Sequence, residues 1–315
     1  MTDDQRGIAC LVFGMFLFSV QDIFIKAMAD QASLIQIITL RGIIGGIVLL
    51  SYLRLTGRSM NIGSAYPVLS VIRAVLFFTG YLGFYVALAA MPLAEATSIF
   101  FVSPFFITIL SWLVLKIPVG LYRLGAIIIG FIGMLLIIKP SPEKFDWVAL
   151  LPVYTAFTYA ISMMIARYTR EHDSAYQQTM HMYMGTIIFG TIAAVVIPLL
   201  NLETGQAGAL DYLIRDWALQ DMFIMSSIIF ISCIGTVGTL MLLSGYRIGN
   251  PSVIAPFEYV MLVIAIISGF IFFGEVPDML SVAGMMLIVV SGIFIFIREG
   301  IRRSPRVATK ISLRG

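Results

Sequence analysis

The sequence predicts an all-α polytopic membrane protein, with ten transmembrane helices arranged as two inverted five-helix repeats. Three observations carry this prediction. The 315 residues are 60% hydrophobic and only 12% charged, with a mean hydropathy of +0.99, whereas a soluble domain carries about 25% charged and 45–50% apolar residues. Ten apolar runs are each long enough to cross a bilayer, whose hydrocarbon core takes roughly 20 helical residues at about 1.5 Å of rise each. Residues 91–139 also match residues 250–298 without a gap. The apolar excess rules out a cytosolic enzyme, a nucleic-acid binder and a disulfide-stapled secreted module.

In chain order the runs are 7–27, 34–54, 66–90, 93–116, 120–139, 147–167, 177–200, 221–246, 251–274 and 277–298. Barrel strands would alternate apolar with polar residues, but stretches such as 43–50 and 124–138 are apolar on every side. Ala27-Met28-Ala29 resembles a signal-peptide cleavage site. Its flank is acidic (Asp3, Asp4), and Gln21, Asp22 and Lys26 interrupt the run, so the first segment reads as a retained span. The connections are short. The longest, about residues 201–220, carries Glu203, Asp211, Arg215 and Asp216 and has room for at most a short surface helix. Cys10 and Cys233 lie inside apolar runs without metal-ligand spacing and read as packing residues.

Orientation follows from the basic residues. With a cytoplasmic N-terminus, the inner side holds Arg6, Arg54, Arg58, Lys116, Arg123, Arg167, Arg170, Arg247 and the basic tail at 300–315 with its neighbour Arg298. The outer side holds only Lys26, Lys139, Lys144 and Arg215. Cytoplasmic loops are the basic ones, so both termini are expected in the cytoplasm and the tail is expected to anchor topology in a cell inner (plasma) membrane.

The internal match sets Pro92 on Pro251, Pro118 on Pro277, Gly125 on Gly284 and Gly133 on Gly292. It divides the chain into a first repeat at 1–140 and a second at 141–299. Five spans is an odd number, so the second repeat crosses the membrane in the opposite sense. Inverted repeats around a midplane site are a signature of secondary transporters.

On these residues the chain resembles the EamA type of the drug/metabolite transporter superfamily. Residues 87–140 and 249–299 resemble the last two helices of that family's halves, with Gly274-Glu275 and Pro277 at the second hairpin. The first hairpin departs from the pattern, with Leu115-Lys116 where Gly-Glu is common. The first half also resembles members grouped as riboflavin or S-adenosylmethionine carriers. The resemblance implies a central cavity lined by spans 3, 4, 8 and 9, alternating access, and cargo among amino acids, amines, vitamins, nucleosides or cofactors.

Ionisable residues inside spans are costly and mark pathways or buried partners. Asp22, Arg41 and Glu95 fall toward the outer side, and Arg73, His181 and Glu258 toward the inner side. Arg73 and Glu258 are assigned to the cavity, Arg73 to meet an anionic group and Glu258 an ammonium group or a coupling proton. Arg73, Phe77, Tyr81 and Tyr85 form one helical stripe at every fourth residue. From it Tyr81 and Tyr85 are expected to bind substrate, together with Tyr259 on span 9. Asp22 and Arg41 read either as an outer gate or as a permanent packing pair, with His181 the inner counterpart of Arg41 and Glu95 near the outer surface. Gly42-x-x-x-Gly46 and Ala126-x-x-x-Gly130 read as close helix contacts.

The chain carries no G-x-x-x-x-G-K-[ST] phosphate loop and no H-E-x-x-H or G-x-S-x-G motif. The expected function is therefore secondary-active transport of a small molecule, with lipids and protons as partners and no metal, cofactor or nucleic acid. An intramembrane enzyme acting on lipid and a non-transporting sensor are the alternatives.

Overall fold

Residues 3–115, 121–139, 147–169, 171–199, 210–248 and 255–303 are described by a computed structural model, and every regular element among them is helical. In a bilayer no water is available to backbone N–H and C=O groups, and a helix satisfies them within its own segment. Six helices are long and apolar enough to cross a membrane: Gln5–Ala27, Leu34–Leu55, Pro67–Ala90, Trp147–Ala166, Ala175–Leu199 and Met222–Gly245. Four shorter apolar helices, Leu93–Ile107, Leu124–Ile138, Phe257–Phe273 and Met279–Phe294, occupy the other four runs.

In chain order the helices are α1 (Asp3–Ala27), α2 (Leu34–Leu55), α3 (Pro67–Ala90), α4 (Leu93–Phe100), α5 (Ser103–Leu115), α6 (Leu121–Ile138), α7 (Leu151–Tyr168) and α8 (Ala175–Leu199). They continue with α9 (Asp211–Ile214), α10 (Met222–Ile248), α11 (Val260–Phe273) and α12 (Met279–Arg303). The short α9 lies in the long connection, and its Tyr212 is buried, donating a hydrogen bond to the Ile25 carbonyl at 3.2 Å. The basic tail beyond residue 303 lies outside the described residues.

Two expected spans are not single helices. Span 4 is interrupted between α4 and α5 at Phe101-Val102, and Pro104, with no backbone N–H, cannot bond back across the break. Span 9 opens as a 3-10 turn, Ala255–Tyr259, before α11 begins. Under the internal match, residues 101–102 fall on 260–261, the first two residues of α11, so the break in span 4 lies directly after the stretch that matches the 3-10 turn of span 9.

Helix packing has the symmetry of the repeat. Helix α1 packs along α10, and α7, its counterpart, packs along α3. The α3–α8 contact is matched by α10–α2, and the α5–α7 contact by α11–α1. The α2–α8 and α6–α12 pairs map onto themselves. Small residues allow these approaches. A Cβ on Gly14 would stand 3.0 Å from the Gly238 carbonyl, one on Gly245 2.9 Å from that of Gly7, and one on Gly133 2.7 Å from that of Gly284. Gly42 packs on Thr186 and Gly130 on the Phe105 ring, so both small-residue motifs are helix contacts.

Large apolar side chains face outward in helical stripes, among them Val68, Ile72 and Val75 on α3, Ile188, Ile192 and Val195 on α8, and Val282, Met286 and Val290 on α12. A surface of this kind has lipid as its solvent.

Candidate functional site

A buried polar cluster lies where α1, α2 and α3 meet α8 and α10. Successive residues of α1 contribute Gln21 and Asp22, and one stripe of α3 contributes Tyr81 and Tyr85. The Tyr85 hydroxyl donates to Asp22 Oδ1 at 2.6 Å. Gln21 Nε2 donates to the hydroxyls of Tyr85 at 2.7 Å and Tyr81 at 3.1 Å. The Tyr81 and Tyr85 rings lie 4.4 Å apart, and Phe77 continues the stack 5.7 Å from Tyr81. The guanidinium of Arg41 lies over the Tyr81 ring at 4.8 Å, a cation–π contact. On the far side the Tyr183 hydroxyl is 2.8 Å from Thr236 Oγ1.

Below this cluster a cleft encloses about 420 Å³ of empty space, its open mouth included. Its walls come from both halves of the chain. Ile38, Arg41, Gly42, Phe77, Phe78 and Tyr81 come from α2 and α3, and Thr179, Met182, Tyr183, Thr186 and Thr239 come from α8 and α10. Spans 2 and 7 share the lining of this cleft with spans 3 and 8, two of the four spans to which the resemblance assigns a central cavity.

Asp22 and Arg41 belong to the same cluster but make no ion pair within 4 Å, since the Asp22 carboxylate is taken by Tyr85 and Arg41 stacks on Tyr81. Arg73 is buried beside α7, where Nε donates to Ser162 Oγ at 3.3 Å, and it does not line the cleft. Tyr159 stands within electrostatic reach of both Arg73 and Glu258, which joins these two residues into a second group. Glu258 lies half-buried in the 3-10 turn of span 9.

The Tyr259 side chain points toward α12. A Cβ on Gly292 would meet its hydroxyl at 1.5 Å, and its ring stands 5.0 Å from Phe101. Glu95 Oε1 accepts from Ser281 Oγ at 2.7 Å, tying α4 to α12. His181 Nε2 sits 2.7 Å from the Ile62 carbonyl, so it fastens the α2–α3 connection rather than mirroring Arg41. That connection is stitched further by Asp173, which accepts from Ser64 Oγ at 2.6 Å and Ala65 N at 3.1 Å.

The opposite end of the bundle carries a clasp that spacing alone does not reveal. Lys26 Nζ and Glu275 Oε1 are 2.6 Å apart, and both side chains are largely buried. Lys26 also donates to the Met91 carbonyl at 2.6 Å, and Glu275 Oε2 accepts from the Leu93 amide at 2.8 Å. The clasp joins α1 and the α3–α4 turn of the first half to the α11–α12 hairpin of the second. Gly274 makes that hairpin possible, its φ of 66° lying in the left-handed region that favours glycine. Beside it, Asp278 accepts the Leu280 and Ser281 amides at the start of α12 and is bonded by Lys139. The Lys139 bond, with those amides, holds the Asp278 carboxyl below the usual carboxylate range.

The EamA-like transporter family matches this chain twice, over residues 5–139 and 146–297. The chain belongs to the EamA-like transporter family. EamA-like proteins of known cargo are among its relatives. An S-adenosylmethionine uptake transporter of Rickettsia prowazekii is 24% identical over 294 residues, 93% of each chain. A pseudopaline exporter of Pseudomonas aeruginosa is 26% identical over 292 residues, covering 91% of this chain and 94% of its own. A riboflavin transporter of Vibrio cholerae is 27% identical over 258 residues, 79% of this chain and 78% of its own. A crystal structure matches with a TM-score of 0.65 at 13% identity, over 95% of this chain and 99% of its own, a likeness of fold. As an EamA-like protein the chain is a multi-pass membrane transporter, not an enzyme.

Proposed function

We propose that this protein is a secondary-active transporter that moves a small metabolite across a cell inner (plasma) membrane by alternating access, with both termini cytoplasmic. The single observation that carries the reading is the cleft, whose walls come from both halves of a chain with repeat-symmetric packing. A site at the junction of two inverted halves can be exposed to either side by rocking one half against the other. The cargo class follows from the relatives, which are named for S-adenosylmethionine, pseudopaline and riboflavin.

Tyr81, with Phe77 beside it, offers stacking surface to the cargo, while Tyr85 positions Asp22 behind it. The Lys26–Glu275 clasp acts as the outer gate, and the conformation described is one in which that gate is shut. Asp22 and Glu258 are the intramembrane carboxyls assigned to a coupling proton, with Arg73 and Tyr159 biasing Glu258. Arg41, which lines the cleft, takes over from Arg73 the expected role of meeting an anionic group.

The test is transport itself. Metabolites are profiled in cells and medium under overexpression and deletion, and liposomes containing the purified protein are assayed with labelled S-adenosylmethionine and riboflavin. A metabolite that leaves the medium and accumulates with gene dose means import, and the reverse means export. Absence of a dose-dependent shift in either compartment, together with silent liposomes, would overturn the transporter reading.

A further inference from the structure

We infer that the cleft is a carboxylate-recognition site, with Arg41 as the residue that grips a singly charged carboxylate on a cargo whose remaining body is apolar or aromatic. This inference rests on the transporter reading above and narrows its substrate class. Arg41 is only 8% exposed, lines the cleft, and makes no hydrogen bond or ion pair with any described residue. A buried guanidinium whose N–H donors find no acceptor is costly, and those five donors form a planar fork that matches a carboxylate. Asp22, the acid of its cluster, lies within electrostatic reach of Arg41 but takes its hydrogen bond from Tyr85.

Apart from Tyr81, whose hydroxyl accepts from Gln21, the other polar groups of the cleft have already used their donors. Thr179, Thr186 and Thr239 each donate to a carbonyl of their own helix, and the Tyr183 hydroxyl is bonded to Thr236. No carboxylate is among the described residues that line the cleft, so the donors left for a ligand are the Arg41 guanidinium and the Tyr81 hydroxyl. A second feature agrees. The missing side chain of Gly235 leaves a space in which Arg41 Nη2 and the buried, unpaired Gln21 Oε1 converge, 2.8 Å and 2.6 Å from where a Cβ would sit. One guanidinium balances one negative charge, which favours a carboxylate over a phosphate dianion that would leave a charge uncompensated in a medium of low dielectric.

The test is equilibrium binding to the purified protein in lipid nanodiscs, so it does not depend on turnover. The probes are 3-phenylpropionate, its amide and phenyl phosphate, together with a set of metabolite carboxylates each paired with its amide. The expected result is that carboxylates bind and raise the thermal midpoint while their amides do not. Arg41→Gln should weaken carboxylate binding about 10- to 100-fold, and Arg41→Lys should fall between.

Arg41→Met keeps the inference falsifiable if other variants express poorly. Removing a buried guanidinium whose donors are unmet should leave the ligand-free midpoint unchanged or raised, whereas a structural arginine would lower it. Equal binding of amides, preference for phenyl phosphate, binding unchanged in Arg41→Gln, or no stabilisation by any carboxylate would each overturn the inference. Gene-dose-dependent transport of an uncharged metabolite would overturn it too while leaving the transporter reading intact.

Discussion

Asp22 shows how much one hydroxyl can decide. Its carboxylate is buried and its hydrogen-bond donor is Tyr85, which Gln21 in turn orients. Tyr85→Phe keeps the ring and its packing but leaves a buried carboxylate without that donor, an expected loss of about 1–3 kcal/mol. Denaturation of the detergent-solubilised protein measures it. Asp22→Asn is expected to insert normally and to keep cargo exchange without a gradient while losing any proton-driven accumulation. Glu258→Gln should behave likewise, and unchanged accumulation in both variants would remove protons from the coupling scheme. At this scale the sequence exposed the players but not their partnerships. A four-residue spacing put Tyr81 and Tyr85 on one face of α3 and left open which face of α1 or α2 would meet them. Tyr259 was equally conspicuous, yet it is turned by Gly292, a small residue whose relevance only the packing exposes.

Helices are the scale at which the sequence was most legible, because a run of some twenty apolar residues has few alternatives in a bilayer. The breaks in spans 4 and 9 were not legible, since hydropathy is blind to a missing backbone N–H or to a 3-10 turn. The closest approach of α6 and α12 is at Gly133 and Gly284, with backbone almost on backbone. Gly133→Leu is expected to cost at least about 1–3 kcal/mol by overpacking and to lower the yield of folded protein, whereas Gly125→Leu, which meets nothing within 4 Å, should be tolerated. Size-exclusion profiles of the two variants compare them directly. At the start of α12, Asp278 is held below its ordinary range by Lys139 and two amides. A carboxylate with a lowered folded pKa stabilises above its unfolded pKa and loses that contribution as pH falls. Asp278→Ala should therefore lower the thermal midpoint at neutral pH, and the gap from the parent should start to close below about pH 4.

Across the whole molecule, the clasp and the cleft lie at different depths, and the proposed mechanism makes them a pair of controls. Lys26 and Glu275 are more buried than a surface pair and less than a core one, so removing one partner alone should cost between about 1 and about 3–5 kcal/mol. Glu275→Gln is expected to move the population toward an outward-open form, read as faster modification of a cysteine placed in the cleft by a membrane-impermeant reagent. The exchanged pair Lys26→Glu with Glu275→Lys should return the rate toward that of the parent. The clasp was out of reach of the sequence because its members are separated by most of the chain, and a lysine at a helix end reads as a topology signal before it reads as a gate.

The most extensive helix pairings, α1 with α10, α3 with α7, α2 with α8 and α6 with α12, all join one half of the chain to the other. This bears on how the protein is made. When the ribosome has delivered the first five spans, Arg73 has no Ser162, Lys26 has no Glu275, and the glycines of α1 have no α10 to receive them. At the usual 5–20 residues per second, that unfinished half must wait in the membrane for roughly ten to thirty seconds with Arg73 and Lys26 lacking those partners. The translocation machinery or an insertion chaperone has to shelter it for that interval. A nascent chain stalled after residue 140 should therefore crosslink to such factors far more strongly than the released protein, and be degraded once they are depleted.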